Sequence, residues 1–203
     1  MLHGDTSMTE LDQLAGKKLC TIDGTRSEAV ILHALAARNV PVIPFSFQEQ
    51  GEMESGLLTG HCQAVGAPLS LLWQIRASYA DRLTGAHVLP EPLGLETATL
   101  AYSPDDPQFA ALADATRAVL VEAESAGMTA VNAGTMQDDG DPIRQSLLGI
   151  DGDRAASLGA PRDWAAKLVA SVGNYGEIFA RSFGKDAVRG LNRLWRNGGA
   201  MSP

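Results

Sequence analysis

A chain of 203 residues suits one domain or two small ones, and an apolar share of 45% is that of an ordinary globular protein. The 16 basic residues stand against 24 acidic ones, a net charge of −8, which argues against nucleic acid and anionic lipid as partners because both need a basic footprint. Aromatic residues are scarce at 5%, while Gly, Ala and Leu are plentiful, a composition suited to helices packed closely through small side chains.

The chain starts Met-Leu-His-Gly-Asp-Thr-Ser-Met, with no basic start, apolar run or small-residue cleavage site, so no export signal is read there. As written the chain is expected to stay in the cytoplasm, and three alternatives stay open: a true start upstream, a lost export signal, or a mature or excised fragment. Residues 1–13 are polar and are expected to be frayed. Lys18 to Ile22 reads as a short buried strand, broken by Asp23-Gly24. Thr25 opens a helix to about Arg38, with Val30, Ile31, Ala34 and Leu35 as its apolar stripe, and Asn39 ends it. The spacing then predicts a strand over 41–47, a helix over 48–60 weakened by Gly51 and Gly56, and a strand over 62–66. A helix over 69–83 and strands over 87–89 and 96–102 follow. Short strands alternating with helices imply parallel βαβ units in an α/β sheet.

The pattern changes after Pro104. Helices are expected over 109–126, 143–148, 163–183 (with Gly173 inside) and 188–195, and no strand is read after Tyr102. The predicted organisation is a frayed segment over 1–13, an α/β part over 14–104 and an all-helical region over 105–203. No stretch reaches the ~20 apolar residues that span a bilayer, so no membrane insertion is expected.

The most chemical local feature is Asp23-Gly24-Thr25-Arg26-Ser27-Glu28, where a strand ends and a helix begins. The first turn of a helix leaves N–H groups unsatisfied and carries partial positive charge, so an anion is bound there readily. Thr25, Arg26 and Ser27 are the candidate ligand residues, with Arg26 able to fork a carboxylate. The plainer alternative is that Thr25 or Ser27 caps the helix and Glu28 is a capping-box acid. Neither GxxxxGK[ST] nor GxGxxG is present, so no nucleotide and no other cofactor is implied. His3, His33, His61 and His87 are scattered, and no metal site is read from them. Asp105 and Asp106, before a helix, suit capping better than a paired-carboxylate site. Asp138, Asp139 and Asp141 suit a solvated acidic turn better than a calcium loop, because the rest of an EF-hand is missing. Trp164, Tyr175, Phe179 and Trp195 read as aromatic anchors for helix packing.

Several of these words, taken in order, resemble one family. Leu14-Ala-Gly-Lys-Lys-Leu-Cys-Thr-Ile-Asp-Gly-Thr-Arg-Ser-Glu28 looks like the start of a second lobe with a Gly-Thr-Thr-x-Glu turn. Gly60-His-Cys62 looks like Gly-Arg-Cys-Asp. Val172-Gly-Asn-Tyr-Gly-Glu-Ile-Phe179, followed by Arg189-Gly-Leu-Asn-Arg-Leu-Trp195 and Gly198-Gly199, is the most specific. From about Leu11 to Pro203 the chain resembles the C-terminal part of the general L-amino-acid-binding proteins. These are periplasmic receptors of polar amino-acid ABC transporters, in family 3 of the bacterial extracellular solute-binding proteins.

The resemblance implies an α/β fold: lobe two of a periplasmic-binding-protein architecture, a mostly parallel sheet flanked by helices. An all-helical tail follows, which in the family completes lobe one. It implies a truncated receptor in which Thr25, Arg26 and Ser27 take a ligand's α-carboxylate. Arg26 departs from the family's small hydroxyl residue. Pro68 falls where the family places an acid for the α-ammonium, and proline cannot accept that bond. Cys20 and Cys62 match family positions, and either a disulfide in an oxidising compartment or two buried thiols fits them.

The expected partners are a small amino acid or carboxylate, an ABC transporter permease, and either a second copy or a separate lobe-one chain, since tail helices without their sheet would expose an apolar face. The location implied is the periplasm. Two other functions stay open: an interaction module with no ligand of its own, and a lyase-type enzyme derived from the fold. The latter is disfavoured because only Glu28 and Asp23 stand near the turn. An unselected gene fragment is a further alternative.

Overall fold

The computed structural model describes residues 2–3, 7–95, 99–103, 105–150 and 153–202. The chain forms two compact units, Met1–Ala98 and Thr99–Pro203, so the division falls after Ala98 where the sequence pattern suggested 104.

The first unit is a five-stranded sheet in the order β3-β2-β4-β1-β5, built from β1 (Leu2–His3), β2 (Lys18–Ile22), β3 (Ile43–Phe47), β4 (Ala64–Val65) and β5 (His87–Val88). β2 pairs in parallel with β3, Lys18 opposite Ile43 and Ile22 opposite Phe47, and with β4, Leu19 opposite Ala64. β1 pairs antiparallel with both β4 and β5. The sheet is therefore mixed: parallel around β2 and antiparallel around β1. Helices α1 (Arg26–Ala37), α2 (Gln50–Leu58) and α3 (Leu69–Ser78) follow β2, β3 and β4. Successive side chains on a strand point to opposite faces. Leu19 accordingly joins Ile31 and Leu35 in one core, whereas Cys20 joins Met53, Leu57, Leu72 and Ile75 in another. α1 covers one face of the sheet, and α2 and α3 cover the other.

Three expectations for this unit are corrected. Residues 1–13 do not fray among those described. β1 lies inside the sheet, and a 3-10 turn at Leu11–Leu14 follows. The reason is apolar: Met8, Leu11 and Leu14, three residues apart, are all buried in the α1-side core. The helix over 69–83 ends at Ser78, because Tyr79 leaves helical geometry and donates its hydroxyl to Glu54 of α2 at 2.9 Å. Of the strand expected over 96–102, residues 96–98 lie outside the described residues and 99–102 are not extended into a ladder. The strand over 41–47 forms despite Pro44. β3 is an edge strand, and the Ile43 N–H bonds Lys17 O at 2.8 Å. Pro44, the next residue, therefore sits where its missing N–H would face away from the sheet.

The second unit is helical. It comprises α4 (Pro107–Ala126), α5 (Pro142–Leu148), α6 (Asp153–Ser157), α7 (Trp164–Val172) and α8 (Tyr175–Phe183). Its core is Val119, Ala123, Met128, Ala133, Leu147, Ala165 and Val169, rich in small side chains as the composition implied. Asp106 and Asp141 cap α4 and α5, each followed by a proline at the first helical position, which needs no N–H partner. The single helix expected over 163–183 is two, because Gly173 (φ 82°, ψ 176°) and the cap residue Asn174 interrupt it. The helix expected over 188–195 is replaced by 3-10 turns at Gly190–Asn192 and Trp195–Asn197. Among the described residues after Tyr102, the only extended pairing is a parallel bridge between Leu194 and Met201. No described helix is long and apolar enough to cross a membrane.

Candidate functional site

The turn from β2 into α1 sits at the C-terminal edge of the parallel strands, where open α/β sheets take ligands. Gly24 makes it possible: its φ of 69° lies in the left-handed region that other residues adopt only with strain. Thr25 is the N-cap. Its hydroxyl accepts the Glu28 N–H at 3.2 Å and donates to Ile22 O at 2.8 Å. The capping alternative is therefore satisfied for Thr25, and its one hydroxyl proton is already engaged.

Glu28 departs from a capping box, in which the carboxylate would return to the Thr25 N–H. That N–H bonds Ile22 O at 3.4 Å. The Glu28 carboxylate instead accepts from the Gly24 N–H at 2.9 Å, from the Thr21 hydroxyl at 2.9 Å, and from the Ser46 hydroxyl. These donors, Ser46 first, hold the Glu28 carboxyl below its ordinary pKa. Asp23 is engaged separately, accepting from Gln48 Nε2 at 2.8 Å. Arg26, at the first helical position, is exposed and has no ion pair or hydrogen-bonded side-chain partner among the described residues. Ser27 is half-buried and has polar company of its own. The turn thus brings Thr25, Arg26 and Ser27 together, but not as three equivalent donors. Thr25 shapes the turn, and Arg26 supplies the available charge.

Pro68 caps the start of α3 and offers no side-chain bond there. Since β4 is the neighbour of β2, Pro68 lies at the same edge of the sheet. A disulfide joins Cys20 to Cys62, with Cα atoms 5.8 Å apart. It ties β2 to the segment leading into β4 and lies in the core under α2. On that helix a Cβ at Gly56 would come within 2.9 Å of Cys62 Sγ, so the residue that weakened the helix reading is what lets α2 approach. An open groove of about 590 Å³ lies elsewhere, between α2 and β3, lined by Phe45, Phe47, Ser55, Thr59 and His61 among others; the turn residues do not line it.

The most distinctive sequence words have a structural role. The Asn174 side chain caps α8 by accepting the Glu177 N–H at 3.0 Å and donates to Met128 O at 2.7 Å, fully inside the helical unit. Glu177 returns to the Asn174 N–H at 2.9 Å and takes the Ala130 N–H at 3.0 Å. Arg189 grips Glu124 through two bonds, at 2.6 and 2.9 Å, and lies over the Tyr175 and Phe179 rings. Those bonds hold the Arg189 pKa above its ordinary value. At Gly176 a Cβ would come within 3.1 Å of Glu124 and 3.2 Å of Arg189, so only a bare backbone leaves the pair its room. Trp164 and Phe179 pack inward as expected. Trp195 does not: 63% of it is exposed.

The remaining acids serve local bonds. Asp106 accepts the Phe109 N–H, and Asp105 accepts from Ser103. Asp138 accepts from Gly140 and Gln145, Asp139 pairs with Arg144, and Asp141 caps α5. No metal-ligand group of three occurs among the described residues. Sequence reasoning missed Thr21 and Ser46. Their only signal was a hydroxyl on each of two strands, and nothing in the order of residues placed the strands side by side.

The chain thus joins a doubly covered α/β sheet, with a helix N-terminus at the C-terminal end of β2, to a helical unit that follows it in sequence. No protein-family model matches the chain. It is 30% identical over 194 residues to the general L-amino acid-binding periplasmic protein AapJ of Rhizobium johnstonii, matching 92% of this chain and 56% of that one. It is 27% identical to the putative amino-acid ABC transporter-binding protein YhdW of Escherichia coli, over 98% of this chain and 60% of that one. It is 26% identical to the glutamate/glutamine/aspartate/asparagine-binding protein BztA of Rhodobacter capsulatus, over 99% and 61%. Among solved structures, a periplasmic binding protein of an ABC transporter from Brucella ovis, with glutathione bound, superposes with a TM-score of 0.81 at 29% identity, covering 98% of this chain and 65% of that one. The chain is homologous to the amino-acid-binding periplasmic proteins of ABC transporters and has the periplasmic-binding-protein fold. It spans 56–61% of the length of these curated relatives.

Proposed function

We propose that this chain is a solute-binding component of amino-acid ABC transport, taking a ligand carboxylate at Thr25, Arg26 and Ser27. The observation that carries the proposal is Arg26: an exposed cation without an ion pair among the described residues, on the first turn of α1, at the edge of the sheet. The guanidinium forks the carboxylate, and the first-turn N–H groups and helix dipole add to it. Thr25 acts by fixing the cap. The names of the relatives, which bind amino acids, support an amino acid or a small carboxylate as ligand.

With Pro68 at the neighbouring strand end, an α-ammonium finds no acid from α3. Binding by this chain alone is therefore weak, and the site reaches full affinity with a partner that supplies the rest of the cleft: a separate lobe-one chain or a second copy. The periplasm is the proposed compartment, supported by the relatives' location and by the Cys20–Cys62 disulfide, which persists where conditions oxidise. A transporter permease is the proposed downstream partner. No reaction is proposed, because the relatives are binding proteins and the acids at the turn are engaged by their own donors.

A second function, an interaction module, is favoured by one observation. In the helical unit Phe109, Val188, Leu191 and Trp195 are each half-exposed or more, the kind of surface that partners cover.

Calorimetry and thermal shift with L-glutamate, other L-amino acids, glutathione and simple dicarboxylates test the ligand. Saturable binding of at least one carboxylate is expected, lost in Arg26→Ala. Failure of every carboxylate to bind, at millimolar concentration, removes the ligand and leaves the interaction module. Light scattering coupled to size exclusion then reads the oligomeric state.

A further inference from the structure

We infer that Glu28 is the positioning residue of the ligand turn, holding three segments together so that Arg26 is left as its uncompensated cation. This rests on the proposal that the turn takes a carboxylate. Glu28 binds the turn from both of its ends. Its backbone N–H goes to the Thr25 hydroxyl, and its carboxylate takes the N–H of Gly24. The same carboxylate takes one hydroxyl from β2, Thr21, which is fully buried, and one from β3, Ser46. Gly24, with its left-handed φ, is the most conformationally free residue of the turn and would otherwise sample other states. Fixing its peptide fixes the root of Thr25 and Arg26, and such preorganisation lowers the cost of binding.

The second effect is electrostatic. Two acids flank Arg26 in sequence, and either one free to move would quench it. Glu28 is spent on three donors, and residues two apart on a helix do not face each other. Asp23 is held by Gln48. The acids at the turn therefore order it without neutralising the cation.

The test compares Glu28→Ala, Glu28→Gln and Ser46→Ala with wild type, using L-glutamate as probe, with the Gly24 and Arg26 amide resonances followed by NMR. Glu28→Ala is expected to weaken the probe about tenfold, the equivalent of one or two hydrogen bonds. Glu28→Gln is expected to recover most of that loss, because its carbonyl still accepts from Gly24 while its amide can donate to the hydroxyls. Ser46→Ala, on an exposed edge strand, is expected to weaken the probe about threefold and to move the Gly24 amide. A folded Glu28→Ala protein that binds L-glutamate as tightly as wild type overturns the inference. Should Glu28→Ala fail to fold, Ser46→Ala decides: unchanged affinity with an unmoved Gly24 amide overturns it equally. Should the wild type bind no L-glutamate, the proposed function loses that probe, and the Gly24 and Arg26 amides of Glu28→Ala and Ser46→Ala still decide the positioning role. Movement supports it, and unmoved resonances overturn it.

Discussion

The two units hold themselves together by different means. In the α/β unit the backbone does most of the tying, through the β2 ladders, and a buried disulfide adds a covalent strap. Its side-chain polar bonds include the Glu28 cluster at the strand ends, the Tyr79 bond to Glu54 of α2, and Arg38 on Glu91. In the helical unit no ladder longer than a single bridge occurs among the described residues. There the polar side chains tie the helices: Asn174 to Met128, Glu177 to Ala130, Arg189 to Glu124, and Arg196 to the Ser125 carbonyl. The difference explains why the most distinctive words lie in the helical unit while the ligand chemistry is proposed for the other. Helices linked by side chains need particular residues at particular places. A turn at a sheet edge needs only a glycine, a cap and an acid, and can vary its cation.

Changes in each unit can sharpen or break that contrast. The largest loss is expected on removing the disulfide. Cys20→Ser with Cys62→Ser opens a loop of 42 residues and should cost the α/β unit about 2–4 kcal/mol, read by urea unfolding under non-reducing conditions. Arg189→Met should cost the helical unit about 2–3 kcal/mol, since it leaves the half-buried Glu124 carboxylate without its cation. Hydrogen exchange should show the loss in α4 and α8 and leave β2 protected; loss spread over both units would break the contrast. Asn174→Ala should cost about 1–2 kcal/mol through a lost cap and an orphaned Met128 carbonyl.

A smaller effect concerns pH. The Glu28 carboxyl sits below its ordinary range when folded, so its contribution is complete at neutral pH. It fades as pH falls through the ordinary carboxylate range to the folded value. Thermal unfolding against pH should be flatter in this range for Glu28→Gln. The smallest stability effect is expected for Arg26→Ala, within about 0.5 kcal/mol for an exposed side chain, although it should remove carboxylate binding. A large loss of stability there would mean that Arg26 serves the fold.

Periodicity placed β2, α1, β3, α2 and α4 to within a few residues, because each joins an apolar pattern to a clear stop: Gly24, Asn39, Gly127. The resemblance named the class through Asn174-Tyr-Gly-Glu177 and Arg189, and the structure engages Asn174, Glu177 and Arg189 in side-chain bonds. What the residues could not reveal was pairing across distance. Leu2–His3 is short and sits in a polar stretch, yet it becomes an inner strand because β4 and β5 leave a place for it. The break at Gly173 was masked by the apolar run over 164–172, although Asn174 and Glu177 after it carry the spacing of a capping box, and the structure uses both that box and the Asn174 bond to Met128.

The sequence by itself determined the α/β character, the helical second half, the capped turn at Thr25 and the cation at Arg26, since these depend on neighbours along the chain. Only the tertiary structure decided that the acid at Glu28 is occupied by Thr21, Gly24 and Ser46, and that Cys20 meets Cys62. Those partners lie on separate strands, and hydrogen bonds and disulfides form across space at about 3 to 6 Å whatever the distance along the chain.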